Sequence, residues 1–89
     1  MDLIKLHKVK EFAIEQLNKW GLTGSHNNDW CFVWDTKAVR RYGQCRYGKQ
    51  EISVSKQLAN LNSIEESKDV VLHEIAHALT GVGHGHDAH

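Results

Sequence analysis

The stretch Val71-Leu72-His73-Glu74-Ile75-Ala76-His77-Ala78 decides the fold and directs the search for a function. Its apolar residues recur at helical spacing, which predicts one amphipathic helix. His73 and His77 are four residues apart, so they project from one face of that helix, where both rings can reach a single metal ion. Glu74 lies next to the same face.

The pattern His-Glu-x-x-His predicts a zinc hydrolase. Zinc lowers the pKa of a water that it coordinates to about 7, and a neighbouring carboxylate can accept the proton. Glu74 is therefore the predicted general base, and His73 and His77 are predicted zinc ligands. A zinc hydrolase needs a third protein ligand, and three more histidines follow in Gly83-His84-Gly85-His86-Asp87-Ala88-His89.

The length of 89 residues predicts one small domain, residues 1–89, whose stability would depend on a bound zinc ion. No apolar run approaches the roughly 18 residues of a membrane span, and the N-terminus lacks the apolar core of a signal peptide. Cys31 and Cys45 lack the C-x-x-C spacing, so they are interpreted as reduced, small core residues. These features predict a cytoplasmic protein with no membrane partner.

The sequence before this helix predicts another helix and three strands. Residues 3–20 carry apolar side chains at helical spacing, with Gly21 as the stop. Residues 30–34 alternate aromatic with smaller apolar residues, which predicts a strand covered on both faces. Residues 44–47 and 51–55 flank a Gly-Lys-Gln turn and predict a hairpin. The predicted fold class is α+β: an N-terminal helix, a small antiparallel three-stranded sheet, and the His-Glu-x-x-His helix packed against it.

Both predicted helices have recognisable boundaries and apolar sides. The second begins at a capping box, Ser63-Ile64-Glu65-Glu66, and is predicted to end at Gly81. Its predicted buried side consists of Ile64, Val71, Leu72, Ile75, Ala78 and Leu79. The predicted buried side of the first helix consists of Leu6, Val9, Ala13, Leu17 and Trp20.

The middle of the chain is basic although the formal net charge is zero. Residues 36–57 contain six basic residues and one acidic residue, with Tyr42 and Tyr47 among them. Basic residues beside aromatic rings suit contact with the phosphates and bases of nucleic acid. The alternative is a solvated hairpin face that balances an acidic helix. The candidate nucleic-acid-binding residues are Lys37, Arg40, Arg41, Arg46 and Lys49.

The order of these parts resembles the compact zincin core of the SprT-like family. That family shows an aromatic strand, a Gly-x-Cys segment, an Ile-x-x-Ser strand, a Leu-containing stretch, the His-Glu-x-x-His-Ala helix and a Gly-His-Gly element. The joint order is far more specific than any one piece, and the resemblance covers most of residues 30–88. The matching segments are Trp30–Trp34, Gly43–Cys45, Ile52–Ser55, Leu58–Leu61, Val71–Ala78 and Gly83–Gly85.

The resemblance implies a zinc-dependent endopeptidase that acts on protein or peptide substrates. Spartan-like members of the family degrade proteins crosslinked to DNA, so DNA is a second implied partner; the oligomeric state stays open. Matching Gly-His-Gly selects His84 as the third ligand, whereas the family's spacing to a following aromatic residue selects His86, which we favour over His84 and His89. Family members continue past this histidine into a helix, whereas the sequence here ends at His89, just after the expected third ligand.

Two other classes of function stay open at the level of sequence. One is a non-catalytic binding module with a structural zinc ion, which would require four protein ligands. The other is a zinc hydrolase whose substrate is not a protein. The side chain that would stabilise a tetrahedral intermediate is also open, because spacing does not choose among Tyr42, Tyr47 and Arg46.

Overall fold

The structure is a computed structural model that describes residues 2–26 and 28–80, and it has the predicted α+β class. Two long helices pack on each other and against a three-stranded sheet. The elements are α1 (Leu3–Lys19), β1 (Cys31–Asp35), β2 (Gly43–Arg46), β3 (Glu51–Ser55), α2 (Lys56–Leu61) and α3 (Ile64–Thr80).

Local signals set the ends of α1. The Asp2 side chain caps the first turn by accepting a hydrogen bond from the Lys5 amide. At the other end the Leu22 amide donates to the Leu17 carbonyl (2.9 Å) and the Gly21 amide to the Asn18 carbonyl (3.2 Å). These are the two bonds of a Schellman motif, and Gly21 has the positive φ of 71° that the motif needs. The stop predicted at Gly21 is confirmed.

The sheet is mixed, because its strand order is β1-β3-β2. The predicted hairpin of β2 and β3 is confirmed as an antiparallel pair, whereas β1 pairs with β3 in parallel, so the prediction of a wholly antiparallel sheet is wrong. The reason lies in the connector 36–42, which crosses the end of β3. There the Ser55 amide donates to the Tyr42 carbonyl (2.7 Å), and its hydroxyl donates to the Ala38 carbonyl (2.7 Å). This crossing leaves a gap between β1 and β2 that β3 fills.

Burial follows from this strand order. The central strand β3 is buried from Ile52 to Ser55, whereas the edge strand β1 is half-exposed and begins at the exposed Cys31. The prediction that residues 30–34 are covered on both faces, with Cys31 in the core, is therefore wrong. Trp30, just before β1, is buried as predicted and meets Tyr47 edge to face at 5.8 Å between ring centroids.

The apolar sides of α1 and α3 meet in the core, but residues at the edges of these apolar sides are exposed to solvent. Trp20, Leu72 and Leu79 were predicted to be buried and are 50%, 40% and 45% exposed. They line an apolar groove beside the contact of the two helices. Helical spacing identifies the apolar side of a helix but does not separate its centre from its flanks. The buried centre consists of Leu6, Val9, Ala13 and Leu17 on α1 and Val71, Ile75 and Ala78 on α3.

The helix α3 begins at the predicted cap. The Glu66 amide donates to the Ser63 hydroxyl oxygen at 3.1 Å, so Ser63 satisfies one of the open amides of the first turn. The predicted stop at Gly81 lies outside the described residues. Within residues 2–26 and 28–80, no helix is both long and apolar enough to cross a membrane.

Asp35 fixes the start of the connector. Its Oδ1 atom accepts hydrogen bonds from the amides of Lys37 and Ala38, both at 3.0 Å. These bonds, with a smaller contribution from the nearby Arg41, hold the pKa of Asp35 below its ordinary value of 3.8. Asp35→Asn should lower the free energy of unfolding by about 1–2 kcal/mol at neutral pH, because the amide is a weaker acceptor.

This stabilisation should depend on pH in a defined direction. The pKa of Asp35 is lower in the folded chain than in the unfolded chain, so the carboxylate stabilises the fold above the unfolded value. The effect is lost as the pH falls through the folded value. Urea unfolding curves of wild type and Asp35→Asn, measured from neutral pH into acid, should therefore converge. Asp69→Asn, at an exposed position of α3, is the control, and an Asp35→Asn deficit that persists unchanged in acid would contradict the assignment.

Candidate metal centre

The helix α3 brings His73 and His77 together. Their Nε2 atoms are 3.0 Å apart, and the ring centroids are separated by 4.5 Å with the rings nearly perpendicular. One helical turn separates the two residues, which places both rings on the same flank of α3. His73 is exposed and His77 is half-buried, so the pair lies at the surface where the protein meets solvent.

The pair fits a zinc ion. Zinc binds imidazole nitrogen at about 2.0–2.1 Å, and a tetrahedral angle then separates two ligand nitrogens by about 3.3 Å, close to the separation found here. Among the residues that the structure describes, no group of three or more His, Cys, Asp or Glu side chains is suited to hold a metal ion. The predicted third ligands, His86 and its alternatives His84 and His89, lie outside the described residues.

Glu74 faces the sheet rather than solvent. Its side chain is only 6% exposed, and the strand β2 passes directly over it. A Cβ atom on Gly43 would lie 3.0 Å from Glu74 Oε2 and 2.5 Å from Val70 Cγ1. A glycine within a strand often marks such a close approach of the backbone. The Gly43 backbone therefore packs against the carboxylate of Glu74, which a side chain at position 43 would displace.

A cleft of about 370 Å³ opens between α3 and β2. Its volume is within the range of small-molecule and peptide side-chain sites. Glu74 and His77 both line it, so the predicted general base and one predicted ligand share one cavity. The remaining lining residues are Arg41, Gly43, Gln44, Cys45 and Tyr47.

Tyr47 ties the turn after β2 to the turn of α3 that carries His77. Its hydroxyl donates to the backbone carbonyl of His77 at 2.7 Å. Burial raises the pKa of Tyr47 to about 12, and the hydrogen bond with Cys45 and the nearby charge of Glu74 act in the same direction. The phenol is therefore protonated at neutral pH and serves as a hydrogen-bond donor. Through this bond Tyr47 holds the helical turn that carries His77.

Cys45 lies in the cleft but is a poor nucleophile. Burial raises the pKa of its thiol to about 11, the hydrogen bond between Cys45 and Tyr47 offsets part of this rise, and the charge of Glu74 adds to it. Because only the thiolate attacks a carbonyl, a protonated thiol does not support cysteine hydrolase chemistry at neutral pH. The half-buried Cys45 acts as a small residue that lines the cleft.

The three sequence candidates for stabilising a tetrahedral intermediate are in different places. The Tyr42 hydroxyl is hydrogen-bonded to the Ser67 hydroxyl at 2.7 Å, between the connector and α3. Arg46 pairs with Glu51 at 3.3 Å on the neighbouring strand. Of the three, Tyr47 alone lines the cleft.

The basic residues of the middle segment do not form one uniform group. Lys37, Arg40 and Lys49 are exposed, whereas Arg46 pairs with Glu51 and Arg41 pairs with Asp35 at 3.6 Å. Arg41 also lines the cleft beside Glu74.

Sequence reasoning missed the place of Arg41 in the cleft and the contact of Gly43 with Glu74. The signal for both was Gly43 itself, because a glycine in a strand suggests that another element approaches closely.

A helix that carries His-Glu-x-x-His and packs against a small mixed sheet is the arrangement of a metallopeptidase-related protein. The model of the SprT-like family matches residues 11–89, and the chain belongs to that family. This membership indicates a metallopeptidase-related, metal-dependent function. Searches among curated proteins and among solved structures returned no match.

The contact between Gly43 and Glu74 can be tested by adding one methyl group. Gly43→Ala places a Cβ atom against Val70 and Glu74, so these side chains or β2 itself must shift. We expect the free energy of unfolding to fall by about 1–3 kcal/mol, the usual cost of overpacking. The matched control is Gly48→Ala, since a Cβ atom there meets nothing within 4 Å. Urea unfolding measures both, and equal stability of the two variants would contradict the close packing of β2 on Glu74.

Proposed function

We propose that the protein is a zinc-dependent endopeptidase in which Glu74 is the general base. The observation that carries this proposal is the shared cleft: the buried Glu74 carboxylate lines it together with His77, whose ring nitrogen is 3.0 Å from that of His73. His73, His77 and a third histidine, His86 or alternatively His84, would hold zinc. When bound, zinc polarises a carbonyl oxygen and lowers the pKa of water.

The protein's own groups account for the proton transfers. Glu74 accepts a proton from the water that attacks the peptide carbonyl and then delivers it to the leaving amine. Its position between α3 and the Gly43 backbone restricts the carboxylate to the side of the cleft. A fixed base needs little reorganisation when the bond is cut, which is the advantage of a buried and packed carboxylate.

The edge of β2 supports a peptide as the substrate. The bond from the Ser55 amide to the Tyr42 carbonyl makes residues 42 and 55 a hydrogen-bonded pair. Hydrogen-bonded pairs alternate with non-hydrogen-bonded pairs along an antiparallel ladder. Gly43 and Cys45 are therefore in non-hydrogen-bonded pairs, and their backbone N–H and C=O groups point away from β3. An extended peptide can add to this edge as a further strand. Such a peptide would lie beside two residues that line the cleft.

We further propose that DNA is a partner that brings DNA-bound proteins to the cleft. The support is the group of exposed cations, Lys37, Arg40 and Lys49, in a segment that also carries tyrosines. Arg46 contributes less to such a surface, because it is half-buried and paired with Glu51, and Arg41 lines the cleft instead. Phosphate contacts of this kind provide affinity without sequence preference.

The assignment of Glu74 is tested by cleavage of an unstructured protein substrate in the presence of zinc. Glu74→Gln should retain zinc and the melting temperature but lose turnover by a factor of about 10²–10⁴, the usual contribution of a general base. Glu65→Gln, an exposed carboxylate in the first turn of α3, is the matched control and should cleave like the wild type. His73→Ala provides the reference with reduced zinc content, measured by atomic emission.

Three outcomes of this assay separate the classes of function. A Glu74→Gln variant that cleaves as fast as the wild type shows that Glu74 is not the base. A folded, zinc-loaded wild type that cleaves no protein favours a binding module with structural zinc. Cleavage that the variant abolishes and that single-stranded DNA stimulates supports the proposal in full.

The DNA proposal predicts binding that weakens steeply with salt. Each phosphate contact with single-stranded DNA contributes about 0.7 to the slope of log affinity against log salt concentration. Charge reversal at Lys37, Arg40 and Lys49 should therefore reduce the slope by roughly 2. Reversal of Lys8 and Lys10, exposed on α1, is the control. Fluorescence anisotropy with a labelled oligonucleotide measures both, and binding that is absent or insensitive to salt would refute the proposal.

A further inference from the structure

Arg41 differs from the other basic residues of the middle segment by its place in the cleft. It lines the same cavity as Glu74 and His77, whereas Lys37 and Lys49 do not. The guanidinium is thus the permanently charged cation of that cavity, since arginine stays protonated at any physiological pH. Its side chain is 55% exposed, so a bound molecule can reach it.

Asp35 holds Arg41 in place and leaves most N–H donors of the Arg41 guanidinium available. The Asp35 carboxylate is fixed by the amides of Lys37 and Ala38, and its Oδ2 atom is 3.6 Å from Arg41 Nη2. This distance is an ion pair rather than a tight hydrogen bond. A guanidinium has five N–H donors, and a single loose contact leaves the fork open for another carboxylate. Asp35 itself does not line the cleft.

The distance along the chain places Arg41 within reach of residues next to the bond that is cut. Gly43 packs on Glu74, and Arg41 is two residues before it. Two residues of chain span at most roughly 7 Å, which is about the length of two residues of a peptide paired with β2. The long arginine side chain covers the remaining distance. A substrate carboxylate near the scissile bond would therefore meet this guanidinium.

We propose that Arg41 is a specificity-determining residue that binds the carboxylate of an Asp or Glu side chain next to the scissile bond. The inference rests on the proposed peptidase function and names a substrate class for it: peptides with an acidic residue beside the bond that is cut. A nucleic acid strand fits this position less well. It carries a charge at every nucleotide and would place further phosphates against Glu74, whereas an acidic side chain brings a single carboxylate.

The test uses fluorogenic peptides that are identical except at one position next to the cleaved bond. That position is Glu, Gln or Lys, and it is tested on each side of the bond in turn. The wild type should prefer Glu over Gln by about tenfold in kcat/KM, the value of one charged hydrogen bond at a partly exposed site. Arg41→Gln should bring this ratio of kcat/KM values close to one. Arg41→Glu should cleave the Lys peptide with the highest kcat/KM. Arg41→Lys should keep part of the preference for Glu. The matched control is Lys10→Gln, which removes an exposed cation of α1 that does not line the cleft and should keep the full ratio.

A binding experiment separates this inference from the proposed function. The same peptides are titrated into zinc-loaded Glu74→Gln, with and without Arg41→Gln, and followed by fluorescence anisotropy. If the wild type cleaves Glu and Gln peptides equally, the inference is overturned and the peptidase function stands. If no peptide is cleaved, the peptidase function fails, and the inference stands only if Glu peptides still bind more tightly and lose this advantage with Arg41→Gln. Loss of DNA affinity in Arg41→Gln with an unchanged peptide ratio overturns it in favour of nucleic acid.

Discussion

The close approach of the β2 backbone to the carboxylate of Glu74 is the constraint on which the rest of the site depends. Gly43 lies so near that a single methyl group would collide with Val70 and press on Glu74. This contact sets the width of the cleft and turns the carboxylate away from bulk solvent. The chain continues from β2 into Tyr47, whose hydroxyl donates to the backbone carbonyl of His77 and holds that turn of α3. The candidate site is therefore held from two sides, by a strand beside Glu74 and a hydrogen bond behind His77.

The sequence predicted those features that depend on neighbours within a few residues. The helix stop at Gly21 needs only the left-handed backbone that glycine adopts readily, and the cap of α3 needs only Ser63 and the amide three residues on. The approach of the two histidine rings follows from one turn of helix. In each case the physical cause is local geometry, so the pattern of residues is sufficient. The same holds for the hairpin of β2 and β3, whose strands are joined by a short turn.

Features that depend on distant parts of the chain could not be predicted from the local pattern of residues. The parallel pairing of β1 with β3 results from the path of the connector across the strand ends, and no residue of β1 specifies it. The exposure of Leu72 depends on its place in the groove beside the contact of the two helices, and an apolar residue on a helix flank resembles one at its centre in sequence. Arg41 was grouped with exposed cations by its charge, yet the start of β2 places it in the cleft. Tertiary position, rather than residue type, separates these side chains into different roles.

The insertion of β3 between the other two strands has a consequence for the order of folding. Residues of β2 and β3 are close in sequence and can pair early, whereas the partners Phe32 and Ile52 are 20 positions apart and must close a longer loop. Contacts of higher sequence separation form more slowly, so β1 is expected to join a hairpin that already exists. The cleft needs β2 seated on α3, which in turn packs against β3. The environment of Glu74 therefore forms only when β2 meets α3, a contact between Gly43 and Glu74 that closes 31 positions of the chain.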